Sequence, residues 1–288
     1  MSSAQATVSK ILTYSCVDGP GNRLVIFLQG CNFNCSACHN PHTIGVCNHC
    51  GECVPACHAD ALSLEDGKIS FDPIACDSCD ACIDVCPISA NPMVRQYSIA
   101  NILELIRKHR PFLSGITVSG GEPTQQLKFI SELFQAVKSD EEIAGLSCFV
   151  DSNGHLGAAN WKKLLRVTDG VMLDIKAFDD SLHEGLTGKS NERSLRAARI
   201  LYAAGKLYEL RFLLIPGKTD NDAELNHLIE FVGSLGKDVR IKLNAFQHHG
   251  VKGKALEWEK MPQAAVEMAA ERLRAAGIQN VITPAVYI

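Results

Sequence analysis

The sequence contains no long apolar run, which excludes a membrane-spanning helix of about 18 residues or more. Its first residues, MSSAQATVSKILTYSC, lack a basic segment followed by an apolar one, so no secretory leader is indicated and a cytoplasmic location is expected. No membrane partner is expected either. The lysines are scattered and the formal charge is −4, leaving no basic stripe to neutralise phosphates; nucleic acid is discounted as a partner. Low-complexity tracts are also missing, and a chain of 288 residues with 46% hydrophobic and 21% charged residues has the composition of an ordered globular protein. That length accommodates one large α/β domain, with or without a small insertion.

Cysteine is nearly absent from most of the chain. Only Cys16 and Cys148 lie outside residues 31–86, and the other eleven of the thirteen fall between Cys31 and Cys86. In a small secreted domain such density implies disulfides; in a leaderless chain of this size it points to metal.

Residues 24–28, LVIFL, read as a short buried strand ending at Gly30, where the cysteine-rich loop begins. Residues 47–93 are rich in Cys, Asp, Pro and small side chains and form a candidate inserted module, dividing the chain into 1–46 with 94–288 and 47–93. Beyond it, ITVSGG, LSCFVDSNG, GVMLDIK, YELRFLLIPG, VRIKLNAF and NVITPAVYI read as strands. Residues 125–138 and 193–204 have helical apolar spacing. This βα alternation predicts a parallel sheet, either doubly wound or a full or partial barrel. Polar motifs follow several runs, at Gly120-Gly121-Glu122-Pro123, Asp151-Ser152-Asn153-Gly154 and Pro216-Gly217, where parallel α/β folds build their sites.

Two cysteine rhythms meet near residue 47. The first, Cys31-x3-Cys35-x2-Cys38, supplies three thiols and no fourth in phase. A structural zinc site needs four ligands, with His39 or His42 as candidates for the fourth, whereas a three-thiolate iron–sulfur cluster leaves one iron open to substrate. The second, Cys47-x2-Cys50-x2-Cys53-x3-Cys57 and Cys76-x2-Cys79-x2-Cys82-x3-Cys86-Pro87, is the two-cluster ferredoxin run written twice. Its ligands cross, so Cys47, Cys50, Cys53 and Cys86 are assigned to one [4Fe–4S] cluster and Cys76, Cys79, Cys82 and Cys57 to the other. Paired zinc ribbons are the competing reading. His58 follows Cys57 where the ferredoxin pattern has proline.

On DGPGNRLVIFLQGCNFNCSACHNP, SGGEPT, DSNG, VMLDIK and IPGKTD, in that order, the chain resembles the radical S-adenosylmethionine (SAM) superfamily, and within it the activating enzymes of glycyl radical enzymes. The resemblance implies a partial (β/α)6 TIM-type barrel with an inserted two-cluster ferredoxin-like domain. It implies that SAM completes the coordination of the Cys31/Cys35/Cys38 cluster. Reductive cleavage of SAM would then give a 5′-deoxyadenosyl radical that abstracts hydrogen from a glycine of a partner enzyme. A flavodoxin or ferredoxin-type electron donor and a monomeric chain are expected. Alternatives are a radical SAM enzyme acting on a small molecule or peptide, and a non-enzymatic iron–sulfur electron carrier.

The same resemblance assigns Gly120, Gly121 and Glu122 to the amino group of SAM, and Asp151, Ser152, Met172 and Asp174 to a monovalent cation beside its carboxylate. Lys176 and Arg211 match positions near SAM. Alone, these would be turn, capping or salt-bridge residues. An ungapped comparison puts Gln247 where the family often has a histidine, and His248 is the candidate beside it. Ala37 replaces the aromatic residue usual before the third cysteine, so adenine packing falls to His39 or another side chain. Asp18 and the glycines around it shape a turn or the mouth through which a partner loop enters.

Overall fold

The computed structural model describes residues 4–285. Among them, no helix is long and apolar enough to cross a membrane. The chain falls into two compact units, residues 1–32 with 40–146 and residues 33–39 with 147–288.

The first unit begins with the antiparallel strands β1 (Gln5–Ser15) and β2 (Arg23–Leu28). The intervening turn is locked from inside. Arg23, fully buried, donates to Thr117 Oγ1 (2.7 Å), Ile116 O (2.6 Å) and Pro20 O (3.1 Å), while Thr117 Oγ1 donates to Asp18 O (2.7 Å). These bonds offset the desolvation of the guanidinium. Residues 47–93 lie wholly within this unit. They contain the hairpin β3 (Leu62–Glu65) and β4 (Lys68–Phe71), whose two-residue loop Asp66-Gly67 has positive φ at both positions, as a type I′ turn requires. The four-residue helix α1 (Ala81–Asp84) follows. Cys53, Leu62, Cys82 and Ile83 form a small core here, covered by Val54, Ile69, Phe71 and Met93.

Strand β5 (Arg95–Ser98) pairs with β1, and α2 (Ile99–His109) starts at a capping box in which Asn101 N–H donates to Ser98 Oγ and Ser98 N–H to Asn101 Oδ1. Strand β6 (Gly115–Gly120) runs parallel to β2 and leads to α3 (Leu127–Ser139). The strand order within this unit is β6-β2-β1-β5.

The second unit repeats a strand–helix rhythm: β7 (Ser147–Ser152), α4 (Ala158–Leu164), β8 (Gly170–Ile175), α5 (Asp180–Thr187), α6 (Glu192–Ala203), β9 (Leu207–Leu214), α7 (Asp222–Leu235), β10 (Ile241–Ala245), α8 (Gln263–Ala275) and β11 (Val281–Ile282). Its strands are parallel, in the order β11-β10-β9-β8-β7. GVMLDI of β8 is buried at every position but Asp174, as expected for a strand covered on both faces. Of the expected terminal strand, Val281–Ile282 forms β11, and residues 286–288 lie outside the described residues.

Candidate functional site

In the first unit, the chain leaving β2 is clasped by the turn after β6. Gly121 N–H donates to Leu28 O (3.0 Å) and Glu122 N–H to Gly30 O (2.8 Å), while Gly30 N–H reaches Thr43 O (2.8 Å) and Cys31 N–H reaches Ile44 O (3.0 Å). A Cβ on Gly121 would lie 2.4 Å from Gly30 O and 2.6 Å from Thr43 O; one on Gly120, whose φ is +117°, would lie 2.3 Å from Leu28 O. Both glycines are thus required by backbone approach alone. Glu122 is 1% exposed, and its carboxylate accepts from Thr124 N–H (3.0 Å) and Thr124 Oγ1 (2.5 Å), capping the short 3₁₀ turn Pro123–Gln126. The motif therefore has the turn and capping role that these residues would have on their own, alongside the SAM contact that the resemblance implies.

The cysteine loop passes from one unit to the other: Cys31 belongs to the first, Cys35 and Cys38 to the second. In the second unit its backbone is pinned to the end of α5, with Asn34 N–H on Thr187 O and Ser36 N–H on Leu186 O, both 2.9 Å. Phe33, 2% exposed, stands edge-on to His155 (5.4 Å) and His183 (5.6 Å). Gly250 approaches His39 so closely that a Cβ would lie 2.1 Å from His39 O. Burial pushes the Cys35 thiol up to about 11, against the pull of Lys176.

Beside Cys35 and Cys38, the ends of β7, β8 and β9 carry a charged network. The ladder sets Asp151 opposite Met172, and Asp174 opposite Arg211. Arg211 donates to Asp151 Oδ1 (3.1 Å) and Glu209 Oε1 (2.8 Å), and its Nη2 lies 2.9 Å from Met172 Sδ. Lys176 Nζ donates to Asp174 Oδ2 (2.7 Å). Burial opposes ionisation of Asp174, but Lys176 and Arg211 outweigh it and hold the carboxyl below its ordinary range. The reverse holds for Lys176, whose ammonium is kept charged against desolvation by Asp174, with Cys35 and Cys38 adding to the effect. Lys176 thus sets cation charge beside Cys35 and Cys38.

Asp151, Met172, Asp174, Lys176 and Arg211 are accordingly brought together. Ser152 is adjacent, its Oγ accepting from Gly154 N–H (3.0 Å). His248 points elsewhere: its Nε2 donates to Trp258 O (2.7 Å), and its ring lies against Phe246. Gln247 donates to Met261 O (3.3 Å), while its Oε1 is buried with no partner among the described residues. The sequence reading missed Glu209, which is 3% exposed and also accepts from Arg240 Nε (2.9 Å). Strand alternation held the signal, since Glu209 and Arg211 share one face of β9.

Back in the first unit, the other eight cysteines line two cavities. One is lined by Cys47, Cys50, Cys53 and Cys86. The second is lined by Cys57, Cys76, Cys79 and Cys82. Each set takes three thiols from one run and the fourth from the other. Backbone N–H groups aim at the sulfurs: His49 at Cys47 (3.4 Å), Ser78 at Cys76 (3.4 Å), Ala61 at Cys57 (3.2 Å) and Ala90 at Cys86 (3.3 Å). Such bonds stabilise thiolate ligands. Left-handed residues recur in pairs 29 positions apart, His49 with Ser78, Gly51 with Asp80, Asp60 with Ser89. Among the described residues, the only group of three candidate metal ligands with donor atoms all within 4.8 Å is His58, Asp77 and Cys79. The four sulfurs of each cavity are therefore spread more widely than the roughly 3.8 Å sulfur separation that tetrahedral zinc with 2.3 Å bonds imposes.

A strand–helix fold with a three-cysteine loop after its first parallel strand and charged residues at its strand ends combines a candidate metal-binding loop with an α/β scaffold. The radical SAM superfamily model matches residues 25–232. The chain belongs to the radical SAM superfamily. It is 30% identical over 286 residues to the isethionate sulfite-lyase activating enzyme of Nitratidesulfovibrio vulgaris, covering 92% of this chain and 91% of that protein. It is 33% identical to the trans-4-hydroxy-L-proline dehydratase activating enzyme of Clostridioides difficile, over 76% of this chain and 77% of that one. Among solved structures, QueE from Escherichia coli shares the fold with a TM-score of 0.52 at 14% identity, covering 97% of this chain and 94% of QueE.

Proposed function

We propose that this protein is an activase that installs a glycyl radical on a partner enzyme. Cys31, Cys35 and Cys38 would hold the cluster, which together with SAM would supply the radical chemistry for removing a hydrogen from the partner's glycine. The observation that carries the reading is 30% identity to an activating enzyme over 92% of the chain, together with an intact three-thiol loop whose Cys35 and Cys38 are backed by Lys176. The chain's own contribution is positional. Lys176 offsets thiolate charge, Arg211 and its carboxylates fix the strand-end geometry, and the β6 turn holds the segment leading into Cys31.

The finer architecture is read as a partial (β/α)6 barrel carrying residues 47–93 as a ferredoxin-like insertion with two further [4Fe–4S] clusters. Support comes from the two four-cysteine cavities, their crossed ligand sets and the N–H groups aimed at sulfur. These clusters would relay electrons from a low-potential donor toward the Cys31 loop. The decisive experiment is anaerobic: reconstitute the protein, add SAM, reductant and a candidate glycyl radical enzyme, and look for the glycyl radical by electron paramagnetic resonance. Deoxyadenosine formation without a protein radical would leave the superfamily membership standing and weaken the activase reading. Cys79→Ala is expected to lose roughly four of about twelve irons while retaining SAM binding and slowing reduction by a protein donor.

A further inference from the structure

The two cysteine runs are related by the 29-residue offset, but the segments that precede them have different fates. Before the first run, Thr43-Ile44-Gly45 is built into the body: Thr43 and Ile44 accept from Gly30 and Cys31, Gly45 N–H donates to Ser89 O (3.1 Å), and Thr43 and Gly45 both bridge to Ala90. Ala90 N–H in turn reaches Cys86 Sγ. The Cys47/Cys50/Cys53/Cys86 cavity thus adjoins the strand end that leads into Cys31. The equivalent segment before the second run is Asp72-Pro73-Ile74, and all three residues are exposed, Ile74 to 94%. Ile74 is thus a bare aliphatic side chain two residues from the cavity cysteine Cys76.

Charge separates the halves as well. Where the first has Thr43, Asn48, Gly51 and Pro55, the second has Asp72, Asp77, Asp80 and Asp84. Residues 47–93 hold eight carboxylates against the single Lys68, a balance of −7 in a chain of −4. Asp77 and Asp80 line the second cavity, whose Cys79 is exposed. Cys53 and Cys82, one from each cavity, share the small core between the runs. The inward outlet is occupied by the body of the protein, and its counterpart opens on solvent.

We propose that the surface formed by Asp72, Ile74, Asp77 and Asp80 beside the Cys57/Cys76/Cys79/Cys82 cavity is the docking site of the electron donor, a redox protein whose electron-carrying group is ringed by lysine or arginine side chains. Ile74 supplies the apolar contact and the carboxylates steer the approach. Electrons then enter at the second cavity and leave from the first. This inference rests on the reading of both cavities as cluster sites. A flavodoxin or ferredoxin that rings its own cofactor with carboxylates would meet like charge here.

The test uses the reconstituted full chain and the variant Asp72→Asn/Asp80→Asn, which keeps the local hydrogen-bond acceptors. Electron transfer is followed in a stopped-flow instrument through the donor's own absorbance. The donors are a reduced low-potential tetrahaem cytochrome with lysine-rimmed haems and a reduced acidic flavodoxin. With the cytochrome, the second-order rate at low salt is expected to fall about tenfold in the variant and to converge with wild type at high salt. With flavodoxin, the rate is expected to rise with salt and in the variant. Ile74→Lys should slow the cytochrome further. A cytochrome rate indifferent to salt and to all three substitutions, or a flavodoxin rate that falls in the variant, overturns the proposal. Iron and sulfide analysis separates the two levels of inference, since a protein that takes up only about four irons refutes the cluster reading itself, and the docking proposal with it, before any rate is measured.

Discussion

Replacing Gly121 by alanine tests whether the β6 turn is a structural clasp. The added methyl would be driven to 2.4 Å from Gly30 O and 2.6 Å from Thr43 O, both backbone atoms that cannot swing aside as a side chain would. Overpacking against rigid neighbours costs about 1–3 kcal/mol. Relief requires the two segments to part, which weakens the Glu122 N–H to Gly30 O bond (2.8 Å), worth about 1 kcal/mol. A total near 3 kcal/mol is expected. At about 2.1 cal/mol/K per residue, a chain of 288 residues has an unfolding entropy of about 0.6 kcal/mol/K, so Tm should drop by about 5 °C. Gly157→Ala is the control, because φ there is −64° and a Cβ would meet nothing within 4 Å. Thermal unfolding of the apoprotein by circular dichroism, under reducing anaerobic conditions, measures both. If Gly121→Ala melts within 1 °C of wild type while SAM binding is lost, the clasp argument is wrong and the glycine serves the ligand alone.

Arg211→Leu should destabilise the protein by about 3 kcal/mol, since it strips Asp151 and the nearly buried Glu209 of a shared cation; Arg211→Lys should recover less than half, lacking the fork that reaches both carboxylates. Thermal melts of both variants decide this, and full recovery by lysine would refute it. Lowering the pH should weaken the fold through His155 and His183. Burial, first among the causes for each, holds both folded pKa values below the ordinary 6.5, so the unfolded chain binds protons more readily. Their contribution is complete above about pH 6.5 and is lost as pH falls below it, at no more than about 1.4 kcal/mol per pH unit for each. Tm measured from pH 8 to 5 should be flat and then decline, and a rise between pH 6.5 and 5 would contradict the assignment.

Much of this fold was legible in the sequence because buried parallel strands write themselves as continuous apolar runs: LVIFL, ITVSGG and GVMLDIK became β2, β6 and β8. Strand β1 was not legible. It is half-exposed along most of its length, and Lys10 and Tyr14 interrupt any alternation. The β3–β4 hairpin was obscured by the cysteine-rich composition around it, although Asp66-Gly67 is a strong turn signal. At the site, residue types and order located the strand-end cluster, but sequence alone could not say that Glu209 would share Arg211, or that His248 would be committed to Trp258 O. Those outcomes depend on which side chain reaches first across a ladder or a loop, a matter of a few ångströms that spacing does not encode. The glycines of the β6 turn show a subtler gap: a motif read for its ligand also carries a steric demand from the backbone beside it.

The exchange of one cysteine between the two runs has an evolutionary corollary. Deleting residues 76–86 would leave the first cavity with three of its four thiols and the second with Cys57 alone, and deleting 47–57 would do the mirror image. On the proposed two-cluster reading, neither half keeps a full four-thiol set without the other. Lineages that carry this segment should therefore have gained or discarded it whole, and a chain caught with half of it would be a relic on its way to losing the rest.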